Sequence, residues 1–405
     1  MSMTETAVDT PSEFAELGLE PKTSADAILR NADRILGIIE EEADEIERLA
    51  RLSPRAERVM RAAGVFELGY ARHRGGVEGT LRHQVEACAK LSAVDASAGW
   101  NVGVLNAGGY YATRLPQEGF DELYGDSLDH PTSGAFHPPG RADVVEGGYM
   151  VTGDWGWGSG SYSADYIVGG CLLFKDGKPV TGANGKQALY GMYLPKDAIV
   201  IANDWQTLGV RGSGSTSYSV PEPTFVPDRH VFDRNPLDDG GKDPLNKSVH
   251  IAFFGLTGIC LGVAEHAVRL ATDFLRERYA ANPDRVDSNM LQCLGEAAVE
   301  TEFAYAGVRA AADAVDEVLF APGKALEPLD LARMSTANQQ AAIALRRVLN
   351  LTSEVAQSSY ILDREPLQRV LRDGYSALAH AGTRRAGLQM VAKAHLDTAD
   401  ADWVL

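Results

Sequence analysis

The chain has 405 residues, 45% hydrophobic and 23% charged, with 38 Lys and Arg against 56 Asp and Glu for a formal net charge of −18. One hydrophobic core usually stops growing at about 250 to 300 residues, so two or three domains are expected. Such an acidic chain repels phosphate backbones and anionic headgroups, which leaves a small molecule rather than nucleic acid or membrane as its partner.

The opening residues, MSMTETAVDTPSEFAELGLEP, carry acids and no apolar signal segment, and residues 1–23 read as a flexible tail. No run of about 18 apolar residues suggests a membrane span. From Ser24 onward Ile28, Leu29, Ile35, Leu36, Ile38, Ile39, Ile46 and Leu49 recur at helical spacing. Ser53-Pro54 supplies a cap and a first-turn proline for a second helix, which Gly64 stops. Two more helices are expected at about Leu81 to Leu91 and Ala93 to Asn106, giving a helical domain over 24–130.

From Thr132 to Phe232 the texture changes to Gly, Ser, Val, Tyr and Pro, with short apolar runs between turn residues. This predicts a β domain over 131–234, built as a barrel or a sandwich. NPLDDGGKDP reads as a linker within 235–245. Helical periodicity then returns in four runs, Ile251 to Tyr279, Ser288 to Leu319, Asp330 to Gln357 and Leu367 to His395, which predict an antiparallel four-helix bundle over 246–405. The fold class is therefore α+β. Cys88, Cys171, Cys260 and Cys293 are scattered, with neither zinc spacing nor a disulfide framework, and fit a reducing, cytoplasmic setting.

Three stretches carry candidate chemistry. The first is Gly153-Asp154-Trp155-Gly156-Trp157-Gly158-Ser159-Gly160, with Ser161 after it and Ala164-Asp165-Tyr166 beyond. Its small residues permit close approach of backbone to a ligand and its hydroxyls can bond ring nitrogens and oxygens, although a Gly- and Trp-rich turn packing a sheet edge would contain the same residues. The second is Trp205-Gln206-Thr207-Leu208-Gly209-Val210-Arg211-Gly212-Ser213-Gly214-Ser215, followed by Phe225-Val226-Pro227. It has neither the Lys of a P-loop nor the strand-turn-helix setting of a dinucleotide fingerprint. Arg211 can pair with a phosphate or carboxylate, or serve as a solvated loop residue. The third runs PLQRVLRDGYSALAHAGT from Pro366 to Thr383 and contains Tyr375 and His380. A lone His between alanines on a helix is as readily a packing residue as a catalytic one.

In this order, and over about 400 residues, helical domain, β domain and helical bundle with these three stretches resemble the acyl-CoA dehydrogenase superfamily. The resemblance implies that Trp157, Gly158, Ser159 and Ser161 and the segment with Arg211, Gly212 and Ser213 belong to a flavin site. True dehydrogenases of the superfamily need a carboxylate to remove an α-proton. Here the residue before Gly382-Thr383 is Ala381, and the alternative place, Val249 to Phe253, holds no acid. His380 instead matches the histidine of the two-component, or group D, flavin monooxygenase branch.

Membership of that branch implies reduced FMN or FAD delivered by a separate NAD(P)H-dependent flavin reductase, with O2 as cosubstrate. Oxygen then passes through a flavin C4a-hydroperoxide to an aromatic or polycyclic small molecule, with His380 and Ser159 as catalytic residues and no metal. Trp100, Asn106, His137 and Tyr375 are the substrate-side candidates. In Gly99-Trp100-Asn101 and beyond there is no histidine of the kind phenol hydroxylases carry, so a quinone, an indole or an amine is a plausible substrate. Arg276 and Arg278 compete for the position of an FAD pyrophosphate ligand with no Phe-Gly pair after them, which favours FMN. N-oxidation of an amine or amino sugar, residual acyl-CoA dehydrogenase activity, and a catalytically silent scaffold remain as alternatives. The resemblance also implies a homotetramer.

Overall fold

The computed structural model describes residues 13–182, 185–234 and 243–398. Helix α1 (Ala25–Leu49) begins where the Ser24 hydroxyl accepts a hydrogen bond from the Ala27 amide, satisfying one of the donors that every helix start leaves over. Its stripe of Ile28, Ile35, Ile39 and Ile46 is fully buried. α2 (Pro54–Ala63) starts on Ser53 with proline in its first turn and ends at Gly64, where φ is 78°. α3 (Leu81–Ser92) and α4 (Ala96–Leu105) are capped by Thr80 and Asp95. Two short helices follow that the sequence pattern does not signal, α5 (Ala107–Thr113) and α6 (Gln117–Tyr124). Every residue of α5 is buried, and a helix covered on all sides shows no apolar stripe.

Residues 13–23 differ from the expected flexible tail. Phe14 is buried, and Glu20 pairs with Arg30 and Arg34 of α1. The rest of that expected tail, residues 1–12, lies outside the described residues.

Eight strands make one sheet: β1 (Thr132–Val145), β2 (Gly148–Trp155), β3 (Tyr166–Lys175), β4 (Lys178–Pro179), β5 (Leu189–Tyr193), β6 (Val200–Ile201), β7 (Tyr218–Pro227) and β8 (Val231–Asp233). Their order is β6-β7-β2-β1-β3-β5-β8, with β4 on β3. β1 and β3 run parallel and the other pairs antiparallel. The sequence leaves barrel and sandwich open; among the described residues the strands form a single sheet with β6 and β8 at its edges. Its core centres on Trp155 and Tyr218, whose rings stack with centroids 5.5 Å apart.

The expected linker falls mostly on residues 235–242, outside the described residues, and Pro244–Asn246 forms a 3-10 turn. The C-terminal helices are α7 (Val249–Ala252), α8 (Thr257–Arg278), α9 (Ser288–Leu319), α10 (Pro328–Ala356), α11 (Pro366–Ala377) and α12 (Gly387–His395). The stretch Phe254–Arg278 is long and apolar enough to cross a membrane by composition, yet 72% of its most apolar window is buried among the other helices. It is a core helix here. One apolar cluster joins Ile28 of α1, Val85 of α3, Val263 of α8 and Leu345 of α10, so the N- and C-terminal helices share a core rather than each closing on its own.

The helix expected from Leu367 to His395 is interrupted. After α11 the chain runs extended at His380, with φ −61° and ψ 147°, and turns through Ala381–Thr383 before α12. The Thr383 hydroxyl lies 3.0 Å from the Leu378 carbonyl and 2.8 Å from that of His380, occupying acceptors that a continuing helix would have used. The interruption sets the direction of the His380 side chain.

Candidate functional site

A cavity of about 690 Å³ lies between the sheet and the C-terminal helices. Its wall combines Trp100 of α4, Phe136 and His137 of β1, the turn with Trp157 and Ser159, the segment from Trp205 to Ser215, and His380 beyond α11. Trp100 joins two of these. Its indole Nε1 donates to Ser159 Oγ at 3.2 Å, and its ring stands edge-on to the His380 imidazole at 5.4 Å.

The hydroxyls beside Trp100 have a fixed sense. Ser213 Oγ lies 2.8 Å from the Val210 carbonyl, Ser215 Oγ 2.8 Å from Ser213 Oγ, and Ser159 Oγ 2.6 Å from Ser215 Oγ. A carbonyl can only accept and each serine has one proton, so Ser213 donates to Val210, Ser215 to Ser213, and Ser159 to Ser215. Ser159 Oγ also accepts from Trp100, which leaves it one lone pair for a ligand. Within this chain Ser159 is an acceptor toward the cavity, not a donor.

His380 is fixed in a similar way. The Gly382 amide donates to Nδ1 at 3.2 Å, so the neutral ring carries its proton on Nε2. Burial, reinforced by the Arg384 charge, pulls the imidazole from its ordinary 6.5 down to about 4. At neutral pH it is therefore an uncharged ring whose free N–H is a hydrogen-bond donor. No Asp or Glu lines the cavity among the described residues.

At one side of the cavity Trp157 adopts φ 62°, a left-handed conformation rare for a bulky residue, and leaves its indole 73% exposed. Its ring meets Trp205 edge-on at 5.7 Å, and the buried Trp205 Nε1 has no hydrogen-bond partner. An exposed indole, an orphaned indole donor and a hydroxyl with a spare lone pair present the mixed donor and acceptor edge that a planar heteroaromatic ring requires.

The sequence-selected residues separate into two groups. Trp100, His137, Trp157, Ser159, Ser213 and His380 line the cavity. Gly158, Ser161, Arg211, Gly212, Asn106 and Tyr375 do not. Ser161 Oγ turns back to the Gly158 carbonyl. A Cβ on Gly158 would meet the Tyr218 ring at 2.7 Å, so that glycine serves packing. Asn106 ties helix ends, with Nδ2 at 2.8 Å from the carbonyls of Val65 and Val102. Tyr375 is half-exposed and donates to Asn350 Oδ1 at 3.1 Å. Arg211 faces Glu47 at 3.9 Å rather than the cavity, and the Gly212 amide donates to Ser97 Oγ at 3.0 Å. Sequence reasoning passed over Trp205, Ser215, Phe136, Phe253 and Arg234, all on the wall. Trp205 and Ser215 stand inside the Gly-rich segment from Trp205 to Ser215, whereas Arg234 carries no local signal.

Residues 254–385 match the family model for the acyl-CoA dehydrogenase C-terminal domain. The chain is 25% identical over 374 residues to the oxygenase subunit HsaA of a flavin-dependent monooxygenase from Mycobacterium tuberculosis, covering 88% of this chain and 92% of the relative. Among solved structures it resembles XiaF from Streptomyces sp. in complex with FADH2 and glycerol, with a TM-score of 0.78 at 22% identity over 98% of this chain and 100% of that one. It also resembles TdsC from Paenibacillus sp. in complex with FMN and indole, with a TM-score of 0.77 at 20% identity over 91% and 97% of the two chains.

Proposed function

We propose, from this chain's membership of the acyl-CoA dehydrogenase superfamily beside the oxygenase components of flavin-dependent monooxygenases, that it hydroxylates an aromatic or polycyclic small molecule with reduced flavin and O2. The observation that carries the reading is the composition of the cavity. It holds a neutral His380 with its Nε2–H free and a serine relay on the other side of Trp100, but no carboxylate among the described residues. A dehydrogenase would lack its proton acceptor there.

Reduced FMN or FAD, when bound, would supply the electrons that activate O2 and the insertion of one oxygen atom into the substrate. Trp157, Ser159 and Trp205 are the residues suited to hold its ring: Ser159 offers a lone pair to a ring N–H, and Trp205 Nε1 a donor to a ring oxygen. His380 keeps its proton on Nε2 and presents it to the cavity. Phe136, Phe253, Phe254 and Leu256 give the cavity an apolar wall, and a low-polarity surround strengthens each of these hydrogen bonds.

The chain carries no dinucleotide fingerprint, so the reduced flavin comes from a separate NAD(P)H-dependent reductase. The purified protein is expected to leave NADH untouched with oxidised flavin present. Chemically reduced FMN or FAD mixed with air and indole should instead give an oxygenated indole detectable by mass spectrometry. Rapid NADH oxidation without a reductase would overturn the two-component reading, and flavin reoxidation without product from any of a panel of aromatics would overturn the oxygenase reading.

The reading includes a homotetramer in the cytoplasm. Four buried free thiols suit a reducing compartment. On α9 Leu291, Val299 and Phe303 are exposed at 54%, 52% and 73%, and on α10 Ile343 is exposed at 48%. α9 and α10 pack on each other, and we take these side chains as the apolar face through which copies meet. Sedimentation at micromolar concentration is expected to show a tetramer; a monomer would remove this part of the reading.

A further inference from the structure

Arg234 follows β8 and lines the cavity beside Phe136. Its guanidinium carbon stands 4.0 Å above the Phe136 ring. That contact accommodates charge but takes none of the five N–H groups. Arg234 makes no hydrogen bond or ion pair to any described residue, in a chain with 56 acidic side chains. Its neighbour Arg114 shows the alternative. That guanidinium is buried and tied down, with Nε at 2.8 Å from Asn246 Oδ1 and one terminal nitrogen at 2.7 Å from the Asp233 carbonyl.

An arginine held on an aromatic face in a partly dehydrated wall, with its fork open and no carboxylate lining the space among the described residues, is complementary to a planar anion. Phe136, Phe253, Phe254, Leu256 and Ile259 make much of the lining aromatic or aliphatic, which suits a ring system. His137 and His250 also line the cavity.

We propose that Arg234 anchors a carboxylate on the aromatic substrate, so that this cavity takes aryl carboxylates in preference to their neutral counterparts. The inference rests on the oxygenase reading for the chemistry that follows, though its binding claim does not require turnover. The same guanidinium fork would also suit the phosphate of a flavin, and the experiment separates the two sources.

Equilibrium dialysis of the flavin-loaded protein would compare indole-3-acetate with indole-3-acetamide, and 4-hydroxyphenylacetate with its amide, pairs that match in shape and differ in charge. In at least one pair the carboxylate is expected to bind about tenfold or more tightly than the amide, as a charge-assisted bond allows. Arg234→Gln should erase that preference, Arg234→Lys should restore part of it, and FMN affinity and thermal melting should be unchanged in both. Equal affinities within both pairs, or no saturable binding of either carboxylate, would overturn the proposal. So would a fall in FMN affinity in Arg234→Gln that matches the fall for the carboxylate, since the fork would then belong to the cofactor. Tight carboxylate binding without product would count against the oxygenase reading alone, and product from neutral aromatics only would count against Arg234 alone.

Discussion

His380→Ala is expected to consume reduced flavin and O2 as fast as the parent protein while releasing about a hundredfold less oxygenated product, with hydrogen peroxide in its place. The reason is the position of one proton. The Gly382 amide occupies Nδ1, so Nε2–H is the ring's free donor, and it is held in place before the reaction begins. Removing one oriented donor from a water-excluded site typically costs about 10² to 10³ in rate. Ser159→Ala should act in the same direction but less, because it removes a neutral hydrogen bond worth about 0.5 to 1.5 kcal/mol net.

The charge state adds a second test. With the imidazole lowered to about 4 by burial and Arg384, the ratio of product to peroxide should be flat from about pH 5.5 to 8, without the decline an imidazolium acid near neutrality would give. The sign for stability follows from the same shift. An unfolded histidine binds its proton near 6.5 and the folded one only near 4, so acidification between these values favours the unfolded chain. The parent protein should therefore lose stability relative to His380→Ala as pH falls through that window. A variant that melts earlier yet stays fully coupled would assign His380 to packing and sink its catalytic role.

Most of the scaffold was legible because its signals are local. Ser24, Ser53-Pro54 and Gly64 act on their own helix ends, and the stripe from Ile28 to Ile46 needs only its own period to be read. The break after α11 was not legible. It depends on Thr383 turning its hydroxyl back to carbonyls that a continuous helix would have used, and a residue pattern of Ala, His and Gly is compatible with either course. The site was legible as two segments but not as faces. Sequence alone groups Arg211 and Gly212 with Ser213, whereas the turn at Arg211–Ser213 sends the serine to the cavity and the other two toward α1 and α4. Ser213 is held by its near neighbours Val210 and Ser215, but Arg211 and Gly212 are placed by contacts with Glu47 and Ser97, more than a hundred positions away.

Those contacts make Gly209 and Asp373 the positions of largest expected effect on the fold. A Cβ on Gly209 would stand 2.4 Å from the Arg372 carbonyl carbon and oxygen and 2.5 Å from the Asp373 nitrogen, all backbone atoms of α11. Nothing there can rotate aside. The next residue, Val210, has φ 50°, a strained setting for a β-branched side chain that costs about 1 to 3 kcal/mol. Its amide donates to the buried Asp373 Oδ1 at 2.6 Å, which holds the turn in place and with it the carbonyl that ends the Ser159 relay. Gly209→Ala is expected to cost about 3 kcal/mol of stability and to weaken flavin binding, read as a lower urea midpoint and a higher dissociation constant.

Asp373→Asn should behave differently, because the amide keeps an oxygen for Val210. Burial first, then the Asp95 carboxylate, raises the Asp373 carboxyl from 3.8 to about 7, with Glu47 adding to the rise and the Val210 amide and Arg369 opposing it. Between those two values the folded chain holds a proton that the unfolded chain has released, so raising the pH through this window removes stability, and the loss is complete above about 7. The parent protein should match Asp373→Asn near pH 4 and fall progressively below it toward pH 8. Urea midpoints measured for both proteins across that range decide the matter; parallel curves would show that Asp373 titrates as an ordinary carboxylate.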